Sequence, residues 1–357
     1  MPVSRARRRA IATVGSLLLA LLLAIPAIAP LTYPGFFEAH SGFLPAFNAA
    51  HPEAVPGWGR VVDLVRGEGA LPYLLIRPFY ALSGDGSAAI RWGYALAFLL
   101  AAAGVYTWTR RWLGTRGAVL AAAVYTYLPW HLATVYVRGA YAEAWLWAWW
   151  PLMFYAVDLL SSRRARDAVL SLVIGVAALI AAFWTQPGLA GLFLMILVPY
   201  GVVMVFERRA AAVRLGLALM LLVVLLLWIG RRAGPAPVAF AEHYLYPFQL
   251  LSAYWGTGTS VAGALDGLPF QLGMAGAGLS LVGVVLWLAA ARRQGTLDGE
   301  MDGRQPLLPR VLIFWCLTLA SIVLFVLPLS AAAWRVTRLE TLLTYPWQML
   351  VFAGLFL

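Results

Sequence analysis

The 357-residue sequence has no lysine, a single cysteine and few charged side chains, and each shortage excludes something. With only Cys316, no disulfide can form within the chain. A charged fraction of 11% excludes an ordinary soluble domain, in which about 25% of residues are charged. The sequence also lacks a phosphate-binding P-loop, a G-x-G-x-x-G before a helix, HExxH and GxSxG, so the enzymes that depend on these motifs are excluded.

Long apolar runs are what the chain has in abundance. Hydrophobic residues make up 62% of it and the mean hydropathy is +0.81. The runs are long enough to cross a hydrocarbon core of about 30 Å as helices. The sequence therefore predicts an all-α, polytopic bundle of about ten transmembrane helices. The candidate spans are 11–31, 88–108, 117–135, 144–160, 168–185, 189–206, 212–229, 271–291, 311–329 and 342–357.

The net charge of +11 comes entirely from arginine and lies mostly at the ends of these spans. A nucleic-acid partner is a poor explanation, because arginines in short loops set membrane topology and contact anionic lipid. The preference for Arg over Lys, with much Ala and Leu, indicates a bacterial protein. We expect a multi-pass protein of the bacterial plasma membrane with a cytoplasmic N-terminus. The arginines that this orientation places in the cytoplasm include Arg110, Arg111, Arg116, Arg163, Arg164, Arg166, Arg208, Arg209, Arg214, Arg292 and Arg293.

The same orientation predicts two long extracytoplasmic loops, 32–87 and 230–270, in a single transmembrane domain, 1–357. Segment 71–82 is apolar but short, and a crossing there would move every later arginine-rich loop to the outside. It is therefore predicted to be an interfacial helix that does not span. Because the sequence ends within an apolar run, we expect the natural chain to continue past its C-terminus.

Glu38 and His40, just after the first span, are the first candidate site residues. A carboxylate two residues from an imidazole is suited to be a base with its orienting partner, or two ligands of a divalent metal. A further metal ligand would come from His243, next to Glu242 in the other long loop. The alternative is that all four are solvated loop residues.

Arg138 and Glu143 form the second candidate pair, at the outer boundary between two spans. Ionisable groups near hydrocarbon are costly and tend to be paired or functional. Either Arg138 pairs with Glu143 as a structural salt bridge beside the aromatic run 145–150, or Arg138 holds a phosphate bidentately.

Arg335 and Arg338 lie outside against the positive-inside bias, which favours either an anionic partner such as a lipid-linked phosphate or contact with lipid headgroups. Gln186 adds a polar side chain in a tight external turn. No ionisable residue falls at the middle of a span, which argues against a transporter, the third functional class considered.

Several segments together resemble a known family. They are "YVRGAYAEAWLWAWWPL", "YPFQLLSAYWGTG…DGLPFQLG" and "RLETLLTYPWQML", after a basic N-terminus, one helix and a loop with an acidic residue and His. This series resembles the 6-pyruvoyl-tetrahydropterin-synthase-related family of bacterial polytopic membrane proteins, which is similar to GT-C membrane glycosyltransferases and to YfhO-like proteins.

The resemblance implies a GT-C-like fold, an extracytoplasmic active site and a polyprenyl-phosphate-linked sugar as donor. It implies that Glu38 is the general base or a metal ligand, with His40 beside it. We therefore expect a glycosyltransferase acting on an envelope acceptor, with Arg138, Arg335 and Arg338 at the donor phosphate. The supporting residues would be Glu143, Gln186, Glu242 and His243. The alternative is a non-catalytic membrane protein that assists export or assembly of envelope polymers.

Overall fold

The computed structural model describes residues 5–33, 39–55, 68–162, 164–230, 237, 239–294 and 309–357. All regular structure within these residues is helical, which confirms the predicted all-α class. The α-helices are α1 (Arg5–Ile28), α2 (Leu44–Ala50), α3 (Leu71–Leu75), α4 (Arg77–Ser83), α5 (Gly86–Tyr127), α6 (Pro129–Tyr136), α7 (Tyr141–Leu160), α8 (Ala165–Thr185), α9 (Pro187–Glu207), α10 (Ala212–Gly230), α11 (Pro247–Leu251), α12 (Met274–Gln294), α13 (Pro309–Val326), α14 (Ala331–Thr337) and α15 (Leu350–Ala353). Short 3₁₀-helices lie at Ala29–Thr32, Pro52–Ala54, Arg209–Ala211, Phe240–Glu242, Pro328–Ser330, Leu339–Leu342 and Pro346–Met349.

Among the described residues, five helices are long and apolar enough to cross a membrane. They are Ile11–Thr32, Gly86–Tyr127, Ala165–Thr185, Pro187–Glu207 and Pro309–Val326. A protein with several such helices fits the multi-pass membrane class. The predicted number of ten spans stays a prediction.

Helix α5 is 42 residues long but doubles back at Gly114, whose φ of 68° and ψ of −174° are not helical. Its first arm runs antiparallel to α1, because the Tyr106 hydroxyl donates to the carbonyl of Thr13 while Arg91 donates to that of Tyr33. Its second arm runs back alongside α1, where the Tyr127 hydroxyl donates to the carbonyl of Leu23 at 2.8 Å. The predicted span 88–108 and the first part of the predicted span 117–135 therefore correspond to two arms joined at one glycine, while the rest of 117–135 lies in α6.

Helix α7 lies at the centre of the bundle. Its aromatic side chains are buried around most of its circumference, as expected of a helix enclosed by other helices. Trp150 stacks on Phe193 of α9 with ring centroids 4.3 Å apart, and Phe154 packs edge-on against Tyr200 at 4.8 Å. This packing fixes the central part of α7 against α9.

The last predicted span, 342–357, is not one long helix. It consists of the 3₁₀-helix Pro346–Met349 followed by the single turn of α15. Leu350 and its next three neighbours are all buried, so their apolar character reflects packing in the core. The predicted interfacial helix 71–82 is likewise divided, into α3 and α4.

The loops gather at two opposite ends of the bundle. At the end that we call the arginine end, Arg214 donates to the carbonyl of Ser162 at 2.7 Å and Arg310 pairs with Glu207 at 3.1 Å. At the other, the loop end, the His40 amide donates to the carbonyl of Val137 at 3.0 Å. Helix α7 connects the ends, and its 20 residues span about 30 Å. The two kinds of loop recognised in the sequence are thus separated in space.

Candidate functional site

The Arg138–Glu143 ion pair forms the centre of the loop end. Gly139, at φ +61°, turns the chain into α7, and Glu143 follows in the first helical turn, where the helix dipole favours a carboxylate. Both terminal nitrogens of Arg138 donate to Glu143, Nη2 to Oε1 at 2.8 Å. The two side chains are only 10% and 5% exposed. The structure thus forms the salt bridge that was one of the two alternatives for Arg138.

Aromatic rings and an amide complete the surroundings of this pair. The Arg138 guanidinium lies 4.6 Å from the ring centroid of Trp347 and 5.2 Å from that of Trp130, both within cation–π range. Gln348 Nε2 donates to Glu143 Oε1 at 2.9 Å, joining residues that are 205 positions apart. The pair is therefore held by side chains from α6, α7 and the C-terminal segment.

Glu68 brings a second carboxylate to the start of α7, and the sequence analysis missed it. It is partly buried and accepts hydrogen bonds from the Tyr73 hydroxyl, at 2.5 Å, and from the Ala142 backbone amide. Burial raises the pKa of Glu68, and the nearby Glu143 carboxylate raises it further. In the sequence, Glu68 could have been recognised only as an isolated acidic residue between two glycines, just before the apolar segment 71–82.

Gly69 shows why a glycine follows this carboxylate. Its amide donates to the carbonyl of Thr185 at 2.7 Å. A Cβ at this position would lie 2.0 Å from the carbonyl oxygen of Trp184, a contact that only glycine avoids. This close contact between Gly69 and the backbone of Trp184 and Thr185 places Glu68 next to the turn between α8 and α9, which contains Gln186.

A hydroxyl-centred network borders the pair on the side of Trp347. Ser260 Oγ lies 2.5 Å from Asp266 Oδ2, 2.9 Å from His243 Nδ1 and 3.1 Å from Trp347 Nε1. Since the hydroxyl donates to the carboxylate, its lone pairs accept from the indole and the imidazole. His243 therefore carries its proton on Nδ1 and, when neutral, has an acceptor lone pair on Nε2. Partial burial raises the pKa of Asp266.

The first candidate pair is only partly located. Glu38 lies outside the described residues. The His40 backbone rests against the Arg138 loop, and its exposed ring places Nε2 2.9 Å from the carbonyl oxygen of Thr257. His243 contacts Ser260 of the same loop, so both histidines approach one segment.

The other predicted residues are dispersed. Glu242 and the two arginines Arg335 and Arg338 are exposed, and Arg335 lies near Tyr244. Gln186 is 7% exposed, and its Oε1 accepts no hydrogen bond from any described residue. Within the described part of the chain, no three His, Cys, Asp or Glu side chains are grouped as a metal site requires.

Comparison with known proteins identifies no relative. No protein-family model matches the sequence, and neither a curated protein nor a solved structure matches it. The family resemblance therefore stays an interpretation of the residues themselves.

Proposed function

We propose that this protein is a GT-C-like glycosyltransferase of the bacterial plasma membrane, with about ten spans and a cytoplasmic N-terminus. It would move a sugar from a polyprenyl-phosphate donor to an envelope acceptor at the loop end. The observation that carries the proposal is the meeting of Glu68, Glu143 and Arg138 at the start of α7, opposite the arginine end. Glu68 provides a carboxylate that can accept a proton, and the Arg138–Glu143 pair holds the charged surroundings of that carboxylate in place.

Glu68 is the general base of the proposed reaction among the described residues. Its raised pKa gives the ionised form more basicity than an ordinary carboxylate has. The acceptor hydroxyl gives its proton to Glu68 as its oxygen bonds to the anomeric carbon. The bond from that carbon to the donor phosphate breaks, and polyprenyl phosphate leaves with the electron pair. Glu38, the base implied by the family resemblance, is the competing assignment.

The phosphate of the donor is assigned to Arg335 and Arg338. Arg138 is less available, because both of its terminal nitrogens are already bonded to Glu143. Arg335 and Arg338 are exposed at the end of α14, where the lipid-borne phosphate of a donor would be accessible. Tyr345 is partly exposed and stacks on the buried Trp347 with ring centroids 4.9 Å apart, so its outer side provides an aromatic surface suited to a sugar ring.

A second candidate function is favoured by Arg138, because both of its terminal nitrogens already donate to Glu143. A guanidinium with two carboxylate bonds and two tryptophan contacts is suited to hold α6, α7 and the C-terminal segment together. Such an arrangement would equally serve a non-catalytic protein that assists the export or assembly of envelope polymers.

Release of polyprenyl phosphate from a panel of polyprenyl-phosphate hexoses, with mixed cell-envelope acceptors, distinguishes the two functions. The full-length protein in nanodiscs should catalyse release, and Glu68→Gln should reduce the rate by at least about 100-fold. Glu53→Gln is the matched control, because Glu53 lies in the same predicted loop and its side chain is 73% exposed. Equal rates for Glu68→Gln and wild type would overturn the base assignment. No release by folded wild type would favour the non-catalytic function.

A further inference from the structure

A polar cleft of about 520 Å³ opens at the arginine end, about 30 Å from the candidate site just described. It lies between the first arm of α5, the C-terminal part of α7 and the start of α8. Its volume falls within the range of about 300–1,000 Å³ that is usual for small-molecule sites. The residues that line it are Thr107, Arg110, Arg111, Tyr155, Ser162, Arg164 and Asp167.

Three guanidinium groups face one carboxylate in this cleft, so its lining carries an excess of positive charge. Within the described residues, none of the three cleft arginines has a carboxylate within 4 Å. The Nε of Arg111 is buried and has no hydrogen-bond partner there. A buried donor without a partner costs about 1–3 kcal/mol, so this arginine is held at its place in the cleft wall at the expense of stability.

Arg111 is held in a fixed position by its neighbours. Its guanidinium carbon lies 5.8 Å from the ring centroid of Tyr155, and its Nη2 lies 3.5 Å from the backbone carbonyl of Asp158. Asp158 is in turn held by the indole of Trp112, at 2.7 Å, and by the hydroxyl of Tyr200, at 2.5 Å. The arginine is therefore oriented before any ligand arrives, which reduces the entropy that binding costs.

We propose that this cleft binds a phosphate group. Planar arginine forks match the oxygens of phosphate, and three of them around one cleft favour a doubly charged group over a single carboxylate. The Ser162 hydroxyl and the Tyr155 phenol add polar contacts at the rim. The phosphate could belong to a soluble phosphate monoester or to the headgroup of an anionic lipid, since both present the same oxygens to the arginines.

Two binding experiments with the full-length protein distinguish these sources. In nanodiscs of phosphatidylcholine, glycerol 3-phosphate is titrated by calorimetry as the soluble probe. In mixed nanodiscs, retention of phosphatidic acid is compared with retention of phosphatidylcholine by mass spectrometry. Arg111→Gln and Arg164→Gln remove charges that line the cleft. Arg116→Gln is the control, because Arg116 is exposed near the Gly114 turn and does not line the cleft.

We expect at least one probe to bind the wild type, and each cleft variant to weaken its binding by at least about tenfold, because hydrogen bonds to charged groups contribute about 1.5–3 kcal/mol. Arg116→Gln should change it less than about twofold. Binding of glycerol 3-phosphate identifies a soluble ligand, and selective retention of phosphatidic acid alone identifies a lipid headgroup. If probe binding weakened equally in all three variants, the probe would be attracted to the arginines in general and not to the cleft, and the proposal would be overturned. Absence of binding for both probes would overturn it too.

Discussion

Replacing Glu143 by Gln tests the central ion pair most directly. The variant keeps the shape of the side chain but leaves the guanidinium of Arg138, which is 10% exposed, without its counter-charge. Breaking a buried pair by removing one partner costs about 3–5 kcal/mol. The amide of the new Gln still accepts one hydrogen bond, so we expect a loss of about 3 kcal/mol in the free energy of unfolding. The tryptophan contacts do not offset this loss, because they are present in the wild type.

The double variant Arg138→Gln/Glu143→Gln should lose less stability than the sum of the two single variants, since neither member of the pair is left without the other. We expect a coupling energy of at least about 2 kcal/mol, measured by denaturation in mixed detergent micelles. The pair Glu207–Arg310 is the matched control at the arginine end, where Arg310 is 67% exposed. Exposed pairs contribute about 0–1 kcal/mol. A coupling at Arg138–Glu143 no larger than that of the control would refute the view that this pair is desolvated.

Three further predictions concern the loop end. The pKa of Glu68 is raised in the folded protein, so its contribution to stability is complete at low pH and is lost as pH rises through that raised pKa. Because Gln resembles the protonated form of Glu, the Glu68→Gln variant should unfold at a higher denaturant concentration than wild type at pH 8, and at the same concentration at pH 4. Ser260→Ala removes the hydroxyl that orients His243 and should cost about 2 kcal/mol, whereas Ser252→Ala removes only one solvent-exposed acceptor, for the Tyr254 amide, and should cost less than about 1 kcal/mol. Gly139→Ala adds a Cβ 2.3 Å from Ser41 Oγ at φ +61°, and should cost more than about 1 kcal/mol in the same denaturation assay.

The all-α class and the presence of several helices long enough to span a membrane could be predicted, because apolar length is a local property of the sequence. The turn between spans 88–108 and 117–135 fell where Gly114 reverses the chain. The short buried turns within 342–357 could not be predicted, because an apolar run does not show whether it faces lipid or other helices. Its burial depends on α7 and α9, which lie far away in the sequence.

The candidate site was predictable only in its local part. Arg138 and Glu143 are five residues apart on either side of a helix start, a spacing at which a pair can form without any distant segment. Glu68 and Gln348 were missed, because they reach the pair through loops whose paths no sequence pattern specifies. The role of Ser260 was hidden because its contacts depend on how the loop 230–270 folds on itself, which brings His243 and Asp266 to the hydroxyl, and on the distant Trp347.

The hydrogen bond from Gln348 to Glu143 has a consequence for biosynthesis. The two residues are 205 positions apart, so a ribosome adding about 5–20 residues per second needs roughly 10–40 s to make the second after the first. During that interval α6 and α7 exist in the nascent chain without Gln348 and without the Trp347 face that covers Arg138. The surroundings of the charged pair are therefore completed only after residue 348 has been made, and a chain interrupted before residue 347 would carry the pair without the Trp347 and Gln348 contacts.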